Sequence, residues 1–230
     1  MFDDSSKRNK AIQAALELTA ERGWRNVTFT AIVERAGLSL ADLRREFACK
    51  SDILKAFQAE IDAEVLAKTK LAMPEQMPRD RLFDLIMTRF EVMAPYKPAL
   101  GRIHADLCCH PGEAALLVCS TLASQYWMLA GAGAKLDGAG AGLRVTGLAA
   151  IYGKVFRVWL DDASPGLDRT MAVLDRKLRK GEDWLAGMES ACQDLCRFAC
   201  GFMPRGWKRR AARSTAEHAA GSASPSPGAV

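Results

Sequence analysis

Arg44 and Arg45 stand side by side in a short segment that also holds Ser39, Leu40, Ala41 and Asp42. A guanidinium group donates hydrogen bonds from a planar fork that fits phosphate oxygens and guanine edges. Small residues next to it let a backbone come close to a duplex. Thr28 and Lys50 flank the segment and can hold phosphates. Together these eight positions offer recognition of an anionic polymer through hydrogen bonds, with no bond made or broken.

Other reactive side chains form weaker patterns. His104 and Cys108 lie one helical turn apart, with Cys109 and His110 beside them. That spacing can present two metal ligands, but no partner cluster of established spacing accompanies it, so no metal and no cofactor is expected. Cys192, Cys196 and Cys200 repeat every fourth residue. This reads as a stripe of small packing residues, and a redox role needs an exposed thiol of low pKa. No nucleophile elbow, zinc-protease motif or dinucleotide fingerprint is present. The glycine-rich stretch 131–142 has no Gly-Lys-Ser/Thr ending and is no phosphate loop. With three histidines and no assembled triad, the chain is not expected to be an enzyme.

Composition narrows the setting. Apolar residues make up 49% of the chain and charged residues 26%, values of a globular protein. The polar start and the lack of a long apolar run predict no signal segment and no stable membrane insertion, hence a cytoplasmic protein. Seven cysteines, an odd number, argue for reduced thiols. The net charge of +5 is mostly a property of the end of the chain, where Arg205, Lys208, Arg209, Arg210 and Arg213 face Glu217 alone. Nucleic-acid binding must therefore be argued from local pattern.

The elements that position the arginines are helical, because apolar residues recur at steps of three and four with no strand alternation. Residues 7–22 form a first helix that Gly23 ends in the left-handed conformation. Thr28 caps a short helix whose Ile32, Val33 and Ala36 point inward. A turn at 36–39 leads to a second short helix held by Leu43 and Phe47. Ser51 caps the next helix, which carries Ile53, Leu54, Phe57, Ile61 and Val65 on one stripe. Prolines near 74–78 mark a boundary, and a second break falls at 94–98. Residues 114–129 are apolar enough to be buried. Leu148, Ile151, Tyr152, Val155, Phe156, Trp159 and Leu160 form the strongest amphipathic helix. Asp168 caps another, which runs to about residue 188.

A short helix, a glycine turn and a second short helix make the layout of a helix-turn-helix, whose second helix enters the major groove. The stretch from Val27 to Leu54 resembles the signature of the TetR family of transcriptional regulators. The resemblance rests on Gly23, Thr28, Ile32, Ala36-Gly37, Ser39, Leu43, Phe47, Lys50 and Leu54. Two positions depart from the pattern: Arg44 stands where the family usually has tyrosine, and Val33 where it usually has alanine. The resemblance implies an all-α fold with a DNA-binding domain at 1–50, a connecting helix at 51–72 and a helical ligand-binding and dimerisation domain at 78–203. It also implies a homodimer on a double-stranded DNA operator. Residues 204–230 are expected to be a disordered basic tail.

A small apolar ligand is a further expectation, with Phe90, Met93, Tyr96, His104, Tyr126 and Trp127 as lining or as plain core. The segment 158–178 resembles the C-terminal segment of lipid-binding proteins of ubiquinone biosynthesis. Those proteins share the TetR fold and are not known as repressors. That resemblance implies a large apolar pocket, a lipid-like or quinone-like ligand, and an alternative role as an accessory protein that does not bind DNA. Aromatic and basic residues at 198–210 form either a solvated tail or a contact for anionic surfaces.

Overall fold

The computed structural model describes residues 6–69, 77–137 and 140–183, and every regular element among them is helical. The chain divides into two units. The first is Met1–Gly181; the second, Glu182–Val230, lies almost wholly outside the described residues. The cysteine stripe at 192–200 and the basic segment from 198 onward therefore lie outside them as well.

Helix α1 spans Lys7–Arg22, capped by Ser6, whose hydroxyl accepts the Asn9 N–H at 3.0 Å. Gly23 closes it with φ 83° and ψ 153°. The expected left-handed cap is thus replaced by an extended backbone at positive φ, a region essentially restricted to glycine. A 3-10 turn at Trp24–Asn26 leads to α2, Phe29–Ala36. The Thr28 hydroxyl caps α2 through the Ala31 N–H at 3.2 Å. Gly37 then takes the left-handed conformation at φ 65°, and α3 follows over Leu40–Glu46.

Helix α4, Lys50–Lys68, starts earlier than a Ser51 cap would allow. Its cap is Cys49. The Asp52 carboxylate reaches back to the Ala48 and Cys49 amides, each at 3.1 Å. A full negative charge on two free N–H groups at the positive helix end outweighs a serine hydroxyl. Lys55 donates to Asp52 at 2.9 Å, and this contact first, with the Cys49 contacts second, holds the carboxyl at about 2.

Helix α5 is Pro78–Met93, with proline in the first turn, where no backbone donor is needed. The break at 94–98 is only one 3-10 turn, Ala94–Tyr96, before α6 resumes at Lys97–Cys109. Helices α7, Pro111–Ala115, and α8, Val118–Gly131, follow. The expected burial of 114–129 is not met: Leu116, Val118, Tyr126 and Trp127 are exposed. Apolar residues surround α8 on all sides, yet only the face with Ser124, Gln125, Met128 and Leu129 meets the core.

Helix α9, Ala141–Asp161, buries Val145, Leu148, Tyr152, Val155 and Trp159. A last helix, α10, occupies residues 168–183. Asp162 caps it in place of Asp168. The Asp162 carboxylate accepts from the Thr170 N–H and hydroxyl at 2.9 and 2.7 Å, and from Ser164 at 3.1 and 2.6 Å. Those bonds, the Ser164 hydroxyl foremost, hold its carboxyl far below the usual range. Asp162 can do this because the 163–167 turn folds it back over the helix start; the Asp168 amide instead donates to Ser164 at 3.0 Å.

The layers follow from these stripes. α1 packs on α2 and α6, α4 on α5 and α8, and α8 on α9. One continuous core runs from Ala11 in α1 to Leu178 in α10. Each large side chain fully buried in it contributes about 1.5–3 kcal/mol relative to an exposed one. Phe90, Tyr152 and Trp159 stack at its centre, with ring centroids 5.3 and 5.7 Å apart from that of Phe90.

Candidate nucleic-acid interface

Leu43 and Phe47, each 3% exposed and one turn apart, anchor one side of α3 and of its C-cap. At about 100° per residue, positions 41 and 45 fall opposite these anchors, 44 falls to one side, and 40 stands at the first turn of the helix. Ser39, Leu40, Ala41, Arg44 and Arg45 are indeed exposed, Leu40 at 53% and the Arg45 side chain at 77%. Arg44 has no side-chain partner among the described residues. Arg45 keeps one loose contact, Nη1 to Asp42 Oδ1 at 3.4 Å. Thr28, exposed at the start of α2, shares a hydroxyl contact with Thr30 at 2.9 Å.

Asp42 faces back rather than outward. Its Oδ2 closes a capping box with the Ser39 N–H at 3.4 Å and the Ser39 hydroxyl at 2.8 Å. Its Oδ1 accepts Lys7 Nζ at 2.7 Å. Lys7 first, and Ser39 second, hold the carboxyl at about 2, so this position is ionised throughout the neutral range. Glu46, the other acid of α3, lies 3.9 Å from Arg8. Both acids of the short helix are thus faced by cations of α1, which lessens their repulsion toward a phosphate backbone.

The scaffold is braced. Arg35 of α2 grips Glu21 of α1 with two bonds of 2.8 and 2.9 Å. Lys50 turns inward. Its ammonium donates to the Trp24 carbonyl oxygen and lies 4.4 Å from the Trp24 ring centroid. Burial lowers its pKa. Lys50 therefore joins the start of α4 to the 3-10 turn and is not gathered with Arg44 and Arg45. Asp106 of α6 accepts the Arg25 backbone N–H at 3.1 Å, tying the same turn to the larger helical layer.

The six aromatic and sulfur-bearing positions expected around a ligand do not converge. Phe90 and Met93 are buried together against Tyr152, whose hydroxyl meets Met93 Sδ at 3.8 Å. Tyr96 packs edge-on to Phe57 at 5.3 Å. His104 lies 6.0 Å from Phe156 at the rim of the core, where burial lowers its pKa. Tyr126 and Trp127 pair with each other at 6.2 Å on the outer face of α8. Met93 and Tyr152 border an open cleft of about 140 Å³, while Trp127 borders a separate groove of about 330 Å³ between α4 and α8. The 140 Å³ cleft is far below the 300–1,000 Å³ usual for ligand sites, so the large apolar pocket implied by the second resemblance is not found in it. Among the described residues no group of three metal-ligating side chains forms; Cys108 Sγ reaches only the His104 ring, at 3.7 Å.

The sequence reading missed a buried polar cluster. Arg89 of α5 donates to Asp62 of α4 at 2.5 Å and to Ser124 of α8 at 2.6 Å, and Ser124 donates to Asp62 at 2.9 Å. A signal was available: Arg89 and Asp62 each interrupt an otherwise apolar helix stripe with opposite charges. Burial pushes the Asp62 carboxyl up, with Arg89 opposing it.

Known proteins can be set beside this geometry. Residues 11–57 match the family model for bacterial regulatory proteins of the tetR family. A TetR transcriptional regulator from Nitrosomonas europaea has a similar fold, with a TM-score of 0.62 and 21% identity, covering 77% of this chain and 99% of that one. A TetR regulator from Rhodococcus sp. RHA1 aligns with a TM-score of 0.55 and 17% identity, over 78% and 97% of the two chains. A third, from Streptomyces coelicolor, gives 0.52 and 19%, over 91% and 99%. No curated protein sequence matches the chain. The chain therefore has the TetR-like all-α fold, with the family's helix-turn-helix domain at its N-terminal end.

Proposed function

We propose that this protein is a dimeric, ligand-responsive repressor that binds a near-palindromic DNA operator. The observation that carries the reading is α3 itself. Its two anchors fix the helix, and the outward face offers Arg44 without a competing partner, within a match to the tetR family model. In this reading Arg44 and Arg45 contact phosphates or guanine edges. Ser39, Leu40 and Ala41 approach the groove, and Thr28 holds a phosphate. Asp42 orients α3 through its capping box, and Lys50 reaches a phosphate by leaving the Trp24 ring.

Dimerisation through α9 is supported by its exposed face. Gly142, Thr146, Ala150 and Gly153 lie there, and a Cβ placed at Gly142, Gly147 or Gly153 meets no atom within 4 Å. Small side chains let a second helix approach closely. Two-fold pairing sets two recognition helices about one DNA turn apart, roughly 34–36 Å, or a multiple of it. A ligand then shifts the population toward a spacing that no longer fits both half-sites.

The test is binding of the full chain to the DNA upstream of its own gene, with random DNA as the control and salt as the variable. A preference that survives raised salt supports the reading. Equal affinity for both DNAs at every salt concentration removes it. Genome-wide mapping of bound sites then identifies the operator.

A further inference from the structure

We infer that the groove between α4 and α8 takes an uncharged aromatic molecule bearing a hydroxyl or N–H donor, with Asp62 Oδ2 as the acceptor and Trp127 as the stacking wall. This rests on the reading above that the chain answers to a ligand, and it names where that ligand sits and the chemistry it carries.

The groove is open to solvent and measures about 330 Å³. Its walls are small and exposed: Ala59 and Ala63 on α4, and Ala123 on α8. Gly131 brings the end of α8 against α4, since a Cβ there would stand 2.8 Å from Leu66 Cδ2, and Leu66 bounds the groove. Trp127 flanks the same space and is 55% exposed, which leaves an indole face for a flat ring. Asp62 and Ser124 are its polar floor, 8% and 2% exposed. Ser124 is fully engaged: its hydroxyl accepts from Arg89 Nη1 at 2.6 Å and donates to Asp62 Oδ1 at 2.9 Å. Arg89 Nη1 donates to that same Oδ1. Oδ2 has no hydrogen-bond partner among the described residues. Nor is it sealed, because the buried side-chain atoms without a partner there are Arg89 Nε, both ends of the Gln125 amide, and Trp159 Nε1. Oδ2 therefore keeps accessible surface, and the groove is the open space that Asp62 lines. A carboxylate accepts at both oxygens, so one is left for an incoming donor.

Charge decides what kind of donor fits. Arg89 neutralises Asp62, and Asp52 neutralises Lys55 at the groove's rim, so the site is electroneutral. An anionic ligand meets Oδ2 with no cation left to receive it. A cationic ligand adds a third positive group beside Arg89 and Lys55. A neutral O–H or N–H completes the Asp62 carboxylate and incurs neither cost. Size decides the rest. An apolar cavity of about 150 Å³ holds benzene, so a groove of about 330 Å³ has room for two fused rings. The ligand class is therefore a bicyclic phenol or aromatic N–H compound.

The experiment is equilibrium dialysis of the full-length chain at neutral pH against four probes built on one ring system: 2-naphthol, 2-methoxynaphthalene, 2-naphthoate and 2-naphthylmethylammonium. A hydrogen bond to an ionised acceptor is worth about ten- to a hundredfold, so 2-naphthol is expected to bind at least tenfold more tightly than each of the others. Trp127→Ala removes an exposed ring and is expected to weaken 2-naphthol at least fivefold. In Asp62→Leu/Arg89→Met, where an apolar pair replaces the ionic one, 2-naphthol and 2-methoxynaphthalene come within about twofold of each other. If that double variant does not fold, a crystal structure of the wild type with 2-naphthol decides: its oxygen within hydrogen-bond distance of Asp62 Oδ2 upholds the assignment, and any other position overturns it. Equal binding of 2-naphthol and 2-methoxynaphthalene overturns it, as does tightest binding of the anion or the cation, an unchanged affinity in Trp127→Ala, or no binding of any probe. Operator binding without probe is measured on the same preparation. A chain that binds 2-naphthol but no operator sinks the repressor reading and leaves this one standing, and the reverse pattern sinks this one alone.

Discussion

The Lys50 ammonium group lies 4.4 Å from the Trp24 ring centroid while donating to the Trp24 carbonyl oxygen, so one side chain clamps the first turn of α4 onto the turn that follows α1. Trp24 is 2% exposed. A partly desolvated cation over an indole is worth about 0.5–2 kcal/mol. Lys50→Met keeps the aliphatic stem and loses the charge, and is expected to lower unfolding stability by about 1 kcal/mol in urea titration. If Lys50 also reaches a phosphate in the complex, the same variant lowers the slope of log affinity against log salt by about one.

Arg44 and Arg45 are expected to differ. Arg44→Ala removes a side chain with no internal partner and leaves stability within about 0.5 kcal/mol, while operator affinity drops by about 1–3 kcal/mol. Arg45 shares a contact with Asp42, and Arg45→Ala is expected to weaken binding less. Fluorescence anisotropy on the mapped operator, repeated over a salt series, measures both.

The low carboxyl pKa values of Asp42 and Asp52, each about 2, set an acid limit. Between the ordinary carboxylate value near 4 and about 2 the unfolded chain binds more protons than the folded one at these positions. Their contribution is therefore whole above about pH 4 and is lost as the pH falls toward 2. Asp42→Asn is expected to flatten the fall in the urea midpoint between pH 5 and pH 3. Asp62 acts in the opposite sense, since burial raises its carboxyl against the opposing pull of Arg89.

Breaking the buried pair from one side is expected to be severe. Arg89→Met alone strands the Asp62 charge and costs about 3–5 kcal/mol, whereas Asp62→Leu/Arg89→Met together is near neutral or stabilising. A thermal melt of the two variants beside the wild type gives the comparison; equal losses in both would contradict it.

Gly23→Ala tests the end of α1. An added Cβ has room, its nearest neighbour being Asp106 Oδ2 at 3.5 Å, so the cost is the backbone conformation at φ 83°. A loss of about 1–3 kcal/mol is expected from chemical denaturation.

The sequence by itself determined the helices and the exposed face of α3. Apolar steps of three and four placed Leu43, Phe47, Ile53 and Phe57 inward, and they are buried. Thr28 and Gly37 marked the ends of α2, because a hydroxyl that can meet a free amide, and a glycine that tolerates positive φ, are local requirements. The partners of charged side chains were decided only by tertiary structure. Asp52 displaced Ser51 as the determinant of the start of α4, and Asp162 displaced Asp168 at α10. In both cases the fold let an ionised carboxylate reach amides that a reading along the chain assigned to a nearer residue. Tyr126 and Trp127 looked like core, and α8 turns them outward because only one of its faces meets the other helices. Arg89 and Asp62 lie 27 residues apart on different helices, and Ser124 lies on a third. Periodicity shows that each shares a stripe with core residues. It cannot show that the stripes face one another, because that depends on how α4, α5 and α8 pack.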